Sequence, residues 1–213
     1  MNGVDRPAAV AGLRVAEAGP FLARLTRLDP AALVRLRPAA AGAVALWGRV
    51  PWGVLVARTV AGAVAGDLTV PATALLERMS AGRVDLPARR DHDWRWPVPP
   101  TSGEVVESVP VAELLRLGQA AAETLRSTRG RVGERVLRDA LLEHVAIAVE
   151  AADGAAVEVR QGVVQAVLRM GLVTTDGDGV ATVRTVGNWV GLATAHGEGW
   201  QQTGANLAVR IVR

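Results

Sequence analysis

The strongest structural constraint in this 213-residue sequence is an alternation of side-chain character that begins at residue 43. Every even position from 44 to 56 is apolar or glycine, which is the period of a β-strand with one buried face. Proline cannot donate to a strand ladder, so residues 49–53, which include Pro51, are predicted to form a turn or an edge bulge between two strands. The pattern therefore predicts a small antiparallel sheet whose buried side chains include Val44, Leu46, Val54 and Val56.

The flanking residues extend this sheet into a domain. Residues 33–37 alternate, which predicts a third strand with Arg35 and Arg37 on its solvent face. Apolar residues at helical spacing predict two helices, at 20–28 and 71–81. We assign residues 1–88 to an α+β sheet domain.

Residues 85–103 break the periodic pattern. Trp94 and Trp96 lie among arginines and prolines, and no helical or strand period continues through them. We therefore place a Trp/Pro-rich linker at residues 89–109 and a second domain at residues 110–213. Helices are predicted at 110–127, 133–144 and 160–170. Strands are predicted at 145–149, 155–159, 180–186, 188–194 and, at the tail, 207–212.

The second domain carries a local resemblance. Residues 163–173, Val-Val-Gln-Ala-Val-Leu-Arg-Met-Gly-Leu-Val, resemble the recognition helix of a winged helix-turn-helix domain, and the order of elements over residues 110–194 is similar. The resemblance implies that Arg160, Gln161, Gln165 and Arg169 face a DNA major groove. It also implies a winged-helix-like unit with a β-hairpin.

The charge distribution opposes that use. Residues 101–213 hold 11 arginines and 13 carboxylates, a formal charge of −2, whereas residues 1–100 hold 13 arginines and 8 carboxylates, a charge of +5. A duplex binder needs a cationic face to displace condensed counterions. We therefore expect any DNA binding to be weak and to depend on the first half, through Arg35, Arg37 and Arg49.

These arginines and the tryptophans of the linker each have two interpretations. Arg35, Arg37 and Arg49 could form a fork of guanidinium groups for phosphate or carboxylate, or a solvated sheet face. Trp94 and Trp96 could stack on single-stranded bases, or they could pin the linker by burying their indoles. The second interpretation is favoured in each case, because charged faces usually meet solvent and indoles gain most from burial.

The sequence offers little for catalysis or metal binding. Cysteine and lysine are absent, which excludes thiol nucleophiles, disulfides and Schiff-base lysines. The three histidines, His92, His144 and His196, do not share the spacing that zinc sites use. His196 with Glu198 is the one acid–base pair to watch. We predict no cofactor and no metal, and a function that is more plausibly non-enzymatic than enzymatic.

The whole chain resembles an uncharacterised conserved actinobacterial protein family. The resemblance rests on three segments, at residues 29–37, 94–97 and 186–192, none of which is a functional motif. Together with the composition, it favours a cytoplasmic protein-binding or regulatory module that contacts a protein partner or a second copy of itself. Nucleic-acid binding is the alternative, a small-molecule enzyme is the third possibility, and no membrane association is expected.

Overall fold

The computed structural model describes residues 10–203 except 12, 41, 84, 101–102, 129–132 and 175. The described helices are α1 (Val15–Leu28), α2 (Ala72–Ser80), α3 (Val111–Ser127), α4 (Glu134–Glu143) and α5 (Gln161–Arg169). The strands are β1 (Val10–Ala11), β2 (Leu33–Pro38), β3 (Ala43–Arg49), β4 (Leu55–Ala61), β5 (Ala63–Val64), β6 (Leu68–Pro71), β7 (Glu104–Pro110), β8 (Val145–Glu150), β9 (Ala156–Arg160), β10 (Val180–Val186), β11 (Trp189–Thr194) and β12 (Gly197–Gln202). The α+β fold class predicted from the sequence is confirmed.

One antiparallel sheet of eight strands crosses both halves of the chain, in the order β6-β2-β3-β4-β12-β11-β10-β7. The two halves join where β4 pairs with β12, at Leu55, Val56 and Ala57. Two further sheets have two strands each, β1 with β5 and β8 with β9. The strands of the predicted first domain therefore do not form a separate small sheet, because β12 extends their hydrogen bonding into the second half.

The two halves of the large sheet share one arrangement. In each half, three consecutive strands form a meander, and a fourth strand that leads directly into a helix pairs with its outer edge. That fourth strand is β6, before α2, in the first half and β7, before α3, in the second. Trp47 and Trp189 lie in β3 and β11, the middle strands of the two meanders.

The helices cover one face of the sheet and enclose the main core. Alternate strand residues point into it, and Val44, Leu46, Val54 and Val56 are fully buried there, as predicted. Gly48 lies beneath α1, where a Cβ atom would come within 2.6 Å of Leu25 Cδ2. Within the described residues, no helix combines the length and the apolar character needed to cross a membrane.

Several predicted boundaries need correction. Helix α1 begins at Val15 rather than at residue 20, so Pro20 lies inside the helix and cannot donate to the carbonyl four residues earlier. Strands β1, β5, β6, β7 and β12 were not predicted. Strands β1, β5 and β6 have too few residues to show an alternation, and glycines interrupt it in β12. Strand β7 lies at the end of the predicted linker, which is therefore wrong over residues 104–109. The predicted tail strand at 207–212 lies outside the described residues.

The winged helix-turn-helix resemblance is not confirmed. Helix α5, the predicted recognition helix, buries six of its nine residues beneath the sheet. The predicted wing, β10 with β11, lies within the eight-stranded sheet between β7 and β12. Both elements therefore serve the core of the protein rather than an exposed reading surface.

Candidate functional site

The Trp/Pro segment is packed against the sheet face opposite the helices, which we call the outer face. Trp94 is buried in a cluster with Trp47, Trp189 and Trp200 from three different strands. Its indole N–H donates to the Trp96 carbonyl at 2.6 Å, and the two rings meet edge to face at 5.4 Å. This geometry supports the interpretation in which the indoles pin the segment, which we call the Trp/Pro strap (residues 87–100).

The predicted arginine fork is already occupied by a carboxylate of the same chain. Arg35 donates to both oxygens of Asp67, at 2.7 and 2.8 Å, and Arg37 lies 3.1 Å from the same carboxylate. The hydrogen bonds that Arg35 donates to Asp67 raise the pKa of Arg35, and burial opposes that rise. The Arg35 guanidinium also lies 6.0 Å from the Trp94 ring centroid.

Arg49 does not join this fork. Its guanidinium lies 4.9 Å from the ring centroid of Trp96, which is a cation–π distance. Arg35, Arg37 and Arg49 were predicted to be exposed, but all three are half-buried. The three side chains are less exposed than predicted because the strap and the Asp67 carboxylate cover the sheet face on which they lie.

An open groove remains on the outer face beside the strap. This outer groove has a volume of about 470 Å³, and its walls come from β3, β4, β10, β11 and β12. It shares Ala45, Thr59, Arg184 and Glu198 with a second cavity of about 190 Å³ that reaches Pro99 and Pro100 of the strap. The polar groups along the groove are Arg58, Thr59, Thr182, Arg184, Thr194, His196 and Glu198.

Two arginines of the outer groove have no carboxylate bound to them. Within the described residues, neither Arg58 nor Arg184 forms an ion pair, and the buried Nε atom of Arg184 has no hydrogen-bond partner. Burial raises the pKa of Glu198, while the Trp200 indole and the charge of Arg184 lower it. His196 is exposed at the rim. The groove therefore carries more cationic than anionic groups.

The residues predicted to read DNA lie on the other side of the sheet and do not form a common exposed face. Gln161 is buried and donates to the Leu117 carbonyl at 3.3 Å, while Arg160 is paired with Glu143. Arg169 lies over the Trp52 ring at 5.6 Å. Gln165, together with Gln161 and Arg169, lines a cleft of about 80 Å³ between α3, α4 and α5. These contacts hold the helices together.

A half-buried apolar surface surrounds that cleft. We call it the helix–hairpin surface, and it comprises α4, the C-terminal half of α3 and the β8–β9 hairpin. Helix α4 is amphipathic, yet none of its ten residues is buried. Val136 is 66% exposed. The partly exposed apolar side chains of this surface are Ala121, Leu125, Leu137, Leu141, Leu142, Ile147 and Val149.

The described residues contain no group of three histidine, aspartate or glutamate side chains placed to hold a metal ion. A hydrogen bond within the turn closes it at Asp176: the Asp178 N–H donates to the Asp176 carboxylate at 3.1 Å. Hydrogen bonding by Thr174 and by the Asp178 N–H lowers the pKa of Asp176. This turn is therefore an Asx turn between α5 and β10.

Sequence reasoning missed Arg58 and Arg184. Arg58 did leave a signal, because it interrupts the apolar run at even positions of residues 44–60. Arg184 left none, since it sits on the alternating polar face of β10 like Thr182. The pairing of β4 with β12 places both residues in the groove wall, with Arg184 on the outer face and Arg58 at a β4 position that alternates with the outer-face residues Ala57 and Thr59.

Two family models cover nearly the whole chain. Residues 98–206 match the model described as Domain of unknown function (DUF8185), and residues 9–96 match the model described as Domain of unknown function (DUF8010). No curated protein matches the sequence.

Several bacterial sliding clamps have a similar fold. A DNA polymerase sliding clamp from Pseudomonas aeruginosa is 14% identical with a TM-score of 0.56. The DNA polymerase III beta subunit of Thermotoga maritima is 13% identical with a TM-score of 0.54, and a putative one from Eubacterium rectale is 10% identical with a TM-score of 0.59. Each match covers 92% of this chain and 64% of the other, so the chain spans less than two thirds of their length. At this identity the likeness establishes the fold.

Proposed function

We propose that this chain, which belongs to the DUF8185 family, is a non-enzymatic protein-binding module that uses its helix–hairpin surface. One observation carries the proposal: α4 presents an apolar stripe that the rest of the described chain does not bury. An amphipathic helix normally gains its stability by packing that stripe against another element. A partner that covers α4 would supply the missing contact.

The neighbouring elements enlarge this apolar stripe into a surface. Leu125, Leu141 and Leu142 border the cleft whose floor includes Trp52, and the Trp52 indole is fixed by its 2.8 Å hydrogen bond to the Gly162 carbonyl. The β8–β9 hairpin has two strands only, so each strand has an outer edge without a strand partner in the described residues. A fixed aromatic floor with apolar walls and a polar rim is typical of a protein contact.

Charge favours a protein over a nucleic acid at the helical face. The five helices together carry eight arginines and seven carboxylates, a net charge of +1. Affinity for duplex DNA depends on cations that neutralise phosphates, and this face has almost no excess of them. Nucleic-acid binding, which the similarity in fold to the sliding clamps suggests, is the second proposal. We expect its affinity to be low.

We also propose that the protein acts in the cytoplasm of an actinobacterium. The arginine-rich composition without lysine supports this origin. An enzymatic function is the least supported, because the outer groove is open and its one acid–base pair, His196 with Glu198, includes an exposed histidine.

Native mass spectrometry of the protein purified from its own host tests the proposal. We expect a defined complex, either with a second copy or with another protein, that is lost in a Val136→Glu variant. Val15→Glu is the matched control, since Val15 is 50% exposed on α1, outside the helix–hairpin surface. A protein that stays monomeric and uncomplexed would contradict the proposal, as would a complex that survives Val136→Glu.

A further inference from the structure

We infer that the cleft between α3, α4 and α5 binds one large apolar side chain of a partner protein, while aspartate or glutamate residues of the same partner segment pair with Arg138 and Arg169. The inference rests on the proposed function, because it names the chemistry of the segment that covers the helix–hairpin surface. Three properties of the cleft support it: the arrangement of its walls, its size and its cations.

The first property is the arrangement of the walls. Each helix lines the cleft with residues three or four positions apart, which lie on one face of a helix. These residues are Ala121, Ala122 and Leu125 of α3, Arg138, Leu141 and Leu142 of α4, and Gln161, Gln165 and Arg169 of α5. Three helix faces therefore meet around the Trp52 ring, whose indole N–H donates to the Gly162 carbonyl at 2.8 Å.

The α3–α5 side of the cleft is held in place by close packing. At Gly118 an added Cβ atom would lie 2.4 Å from Leu168 Cδ1, so the missing side chain lets the two helices approach. The buried Gln161 side chain also joins them by its 3.3 Å hydrogen bond to the Leu117 carbonyl. This side of the cleft is therefore formed before a partner binds, which reduces the ordering cost of binding.

The second property is size. The volume of about 80 Å³ is well below the roughly 300 Å³ at which pockets for drug-sized ligands begin. It is also well above the roughly 15 Å³ that a single water molecule needs. The cleft therefore suits one aliphatic or aromatic side chain, and a buried anchor of this kind supplies much of the binding free energy in many protein contacts.

The third property is charge. Arg138 and Arg169 line the cleft from different helices, and within the described residues neither forms an ion pair. The other arginines of α3 and α4 each pair with a carboxylate of their own helix: Arg116, Arg126 and Arg135. The described residues that line the cleft include no carboxylate. A partner carboxylate would therefore meet two cations without a competing acid.

Gln165 adds an amide to the cleft wall. Its side chain is half-buried and forms no hydrogen bond within the described part of the chain. Because an amide both donates and accepts, it can pair with a peptide group of the bound segment. Such a bond would orient the segment without selecting its sequence.

Single-stranded nucleic acid is a poorer match to the cleft. Its phosphates could pair with Arg138 and Arg169, but its bases need a free aromatic face for stacking. The Arg169 guanidinium already lies over the Trp52 ring, 5.6 Å from the ring centroid. An acidic peptide with an apolar anchor uses the cleft as it stands.

A peptide selection with a charge exchange tests the inference. Random dodecapeptides displayed on phage are selected on the full-length protein, and enriched peptides are resynthesised with a fluorescent label for anisotropy titrations. We expect a leucine, isoleucine, phenylalanine or tryptophan with aspartate or glutamate nearby. Arg138→Glu and Arg169→Glu should each weaken binding by about tenfold or more, because repulsion replaces attraction. Peptides with lysine in place of the acidic residues should bind the double variant again.

The control variant is Arg116→Glu, which makes the same charge change on α3. Its side chain is 71% exposed, and it lies nine residues before Leu125, about two and a half turns, so it points away from the cleft. The affinity for the peptides should not change. Circular dichroism shows whether each variant folds. If Arg169→Glu does not fold, the result with Arg138→Glu decides, since that side chain is exposed.

The indole signals of the six tryptophans locate the bound peptide in proton NMR spectra. The Trp52 signal is identified by its loss in Trp52→Phe. We expect the peptide to shift this signal and to leave those of Trp94 and Trp189, in the outer-face cluster, unchanged. Shifts confined to the outer-face tryptophans would place the peptide on the other side of the sheet and overturn the inference.

The inference also fails if no peptide is enriched, if the enriched peptides lack acidic residues, or if Arg138→Glu and Arg169→Glu bind them fully. A labelled dodecathymidylate that binds more tightly and displaces the peptides would assign the cleft to nucleic acid instead. In the native mass spectra, a complex that is lost with Val136→Glu but kept with both arginine variants would overturn this inference alone. The proposed function fails separately, if those spectra show no complex.

Discussion

At Glu198 the fold places a carboxyl group in the wall of a groove, where burial raises its pKa above the ordinary 4.5. The native state therefore binds a proton more tightly at this site than the unfolded chain does. By linkage, native stability is lost as the pH rises from the unfolded pKa through the folded one. The ionised carboxyl group is therefore destabilising at neutral pH, and the Trp200 indole and the charge of Arg184 oppose this effect in part.

We therefore predict that Glu198→Gln stabilises the protein at pH 7. The gain should shrink as the pH falls and disappear below about pH 4.5, where the wild-type carboxyl group is neutral in both states. Urea unfolding of the two proteins across this pH range measures the difference. A gain that does not depend on pH would mean that packing, rather than ionisation, is responsible.

Substitutions at two glycines with positive φ distinguish the cost of backbone strain from the cost of a steric clash. At Gly197 an added Cβ atom would lie 2.3 Å from the Ala57 carbonyl oxygen, whereas at Gly187, with a φ of +56°, it would meet nothing within 4 Å. We predict that Gly197→Ala destabilises the protein by about 3 kcal/mol or more, and Gly187→Ala by about 1 kcal/mol. Chemical denaturation gives both values. Equal losses would show that the joint between β4 and β12 is looser than described.

At the scale of elements, contacts distant in sequence hold the strap in place. Its start is hydrogen-bonded to the edge of β6: the Thr69 N–H donates to Asp91 at 2.6 Å, and the Arg90 N–H donates to the Thr69 carbonyl at 2.8 Å. Its centre is held by Trp94, and Pro99 is buried near its end. The strap is therefore a covering layer of the sheet.

We predict that Trp94→Ala destabilises the protein by about 3 kcal/mol, the cost of emptying a buried indole site. The neighbouring Arg95→Ala should change the stability by less than about 0.5 kcal/mol, since that side chain is exposed. Thermal unfolding followed by circular dichroism compares the two variants. A similar, small effect of both changes would indicate that the strap is not anchored by its tryptophans.

At the scale of the whole molecule, the main apolar core contains side chains from both halves of the chain. One apolar cluster includes Phe21 and Val44 from the first half and Val183 and Leu192 from the second. The β4–β12 pairing joins the same two parts through the backbone. The division into residues 1–88, a linker at 89–109 and residues 110–213 stays a proposal about the organisation of the sequence.

From this shared core we predict a single cooperative unfolding transition. Differential scanning calorimetry should give a calorimetric enthalpy equal to the van't Hoff enthalpy for the complete chain. Two resolved transitions, or a fragment of residues 110–213 that folds with native-like cooperativity, would show instead that each half has a sufficient core of its own.

Local patterns in the sequence predicted most helices and strands to within a few residues. These patterns include the alternation at 44–56 and the helical spacings of α2, α3, α4 and α5. They depend on side chains at most three or four positions apart, so they can be recognised from the sequence alone. The burial of Val44, Leu46, Val54 and Val56 followed from the same rule. The short strand β6 and the glycine-containing strand β12 were not predicted, because too few of their side chains show the two-residue alternation.

Local sequence patterns specify the five helices, the longer strands and the apolar face of those strands, because these properties depend on neighbouring side chains. Contacts distant in sequence set the rest: Asp67 binds Arg35 and Arg37, strands of both halves bury Trp94, and Arg58 and Arg184 line one groove. These contacts join residues that are 30 or more positions apart, with the β4–β12 pairing bringing the last two together. A strand's choice of partner depends on the packing free energy of the whole sheet, and no local pattern of residues encodes it.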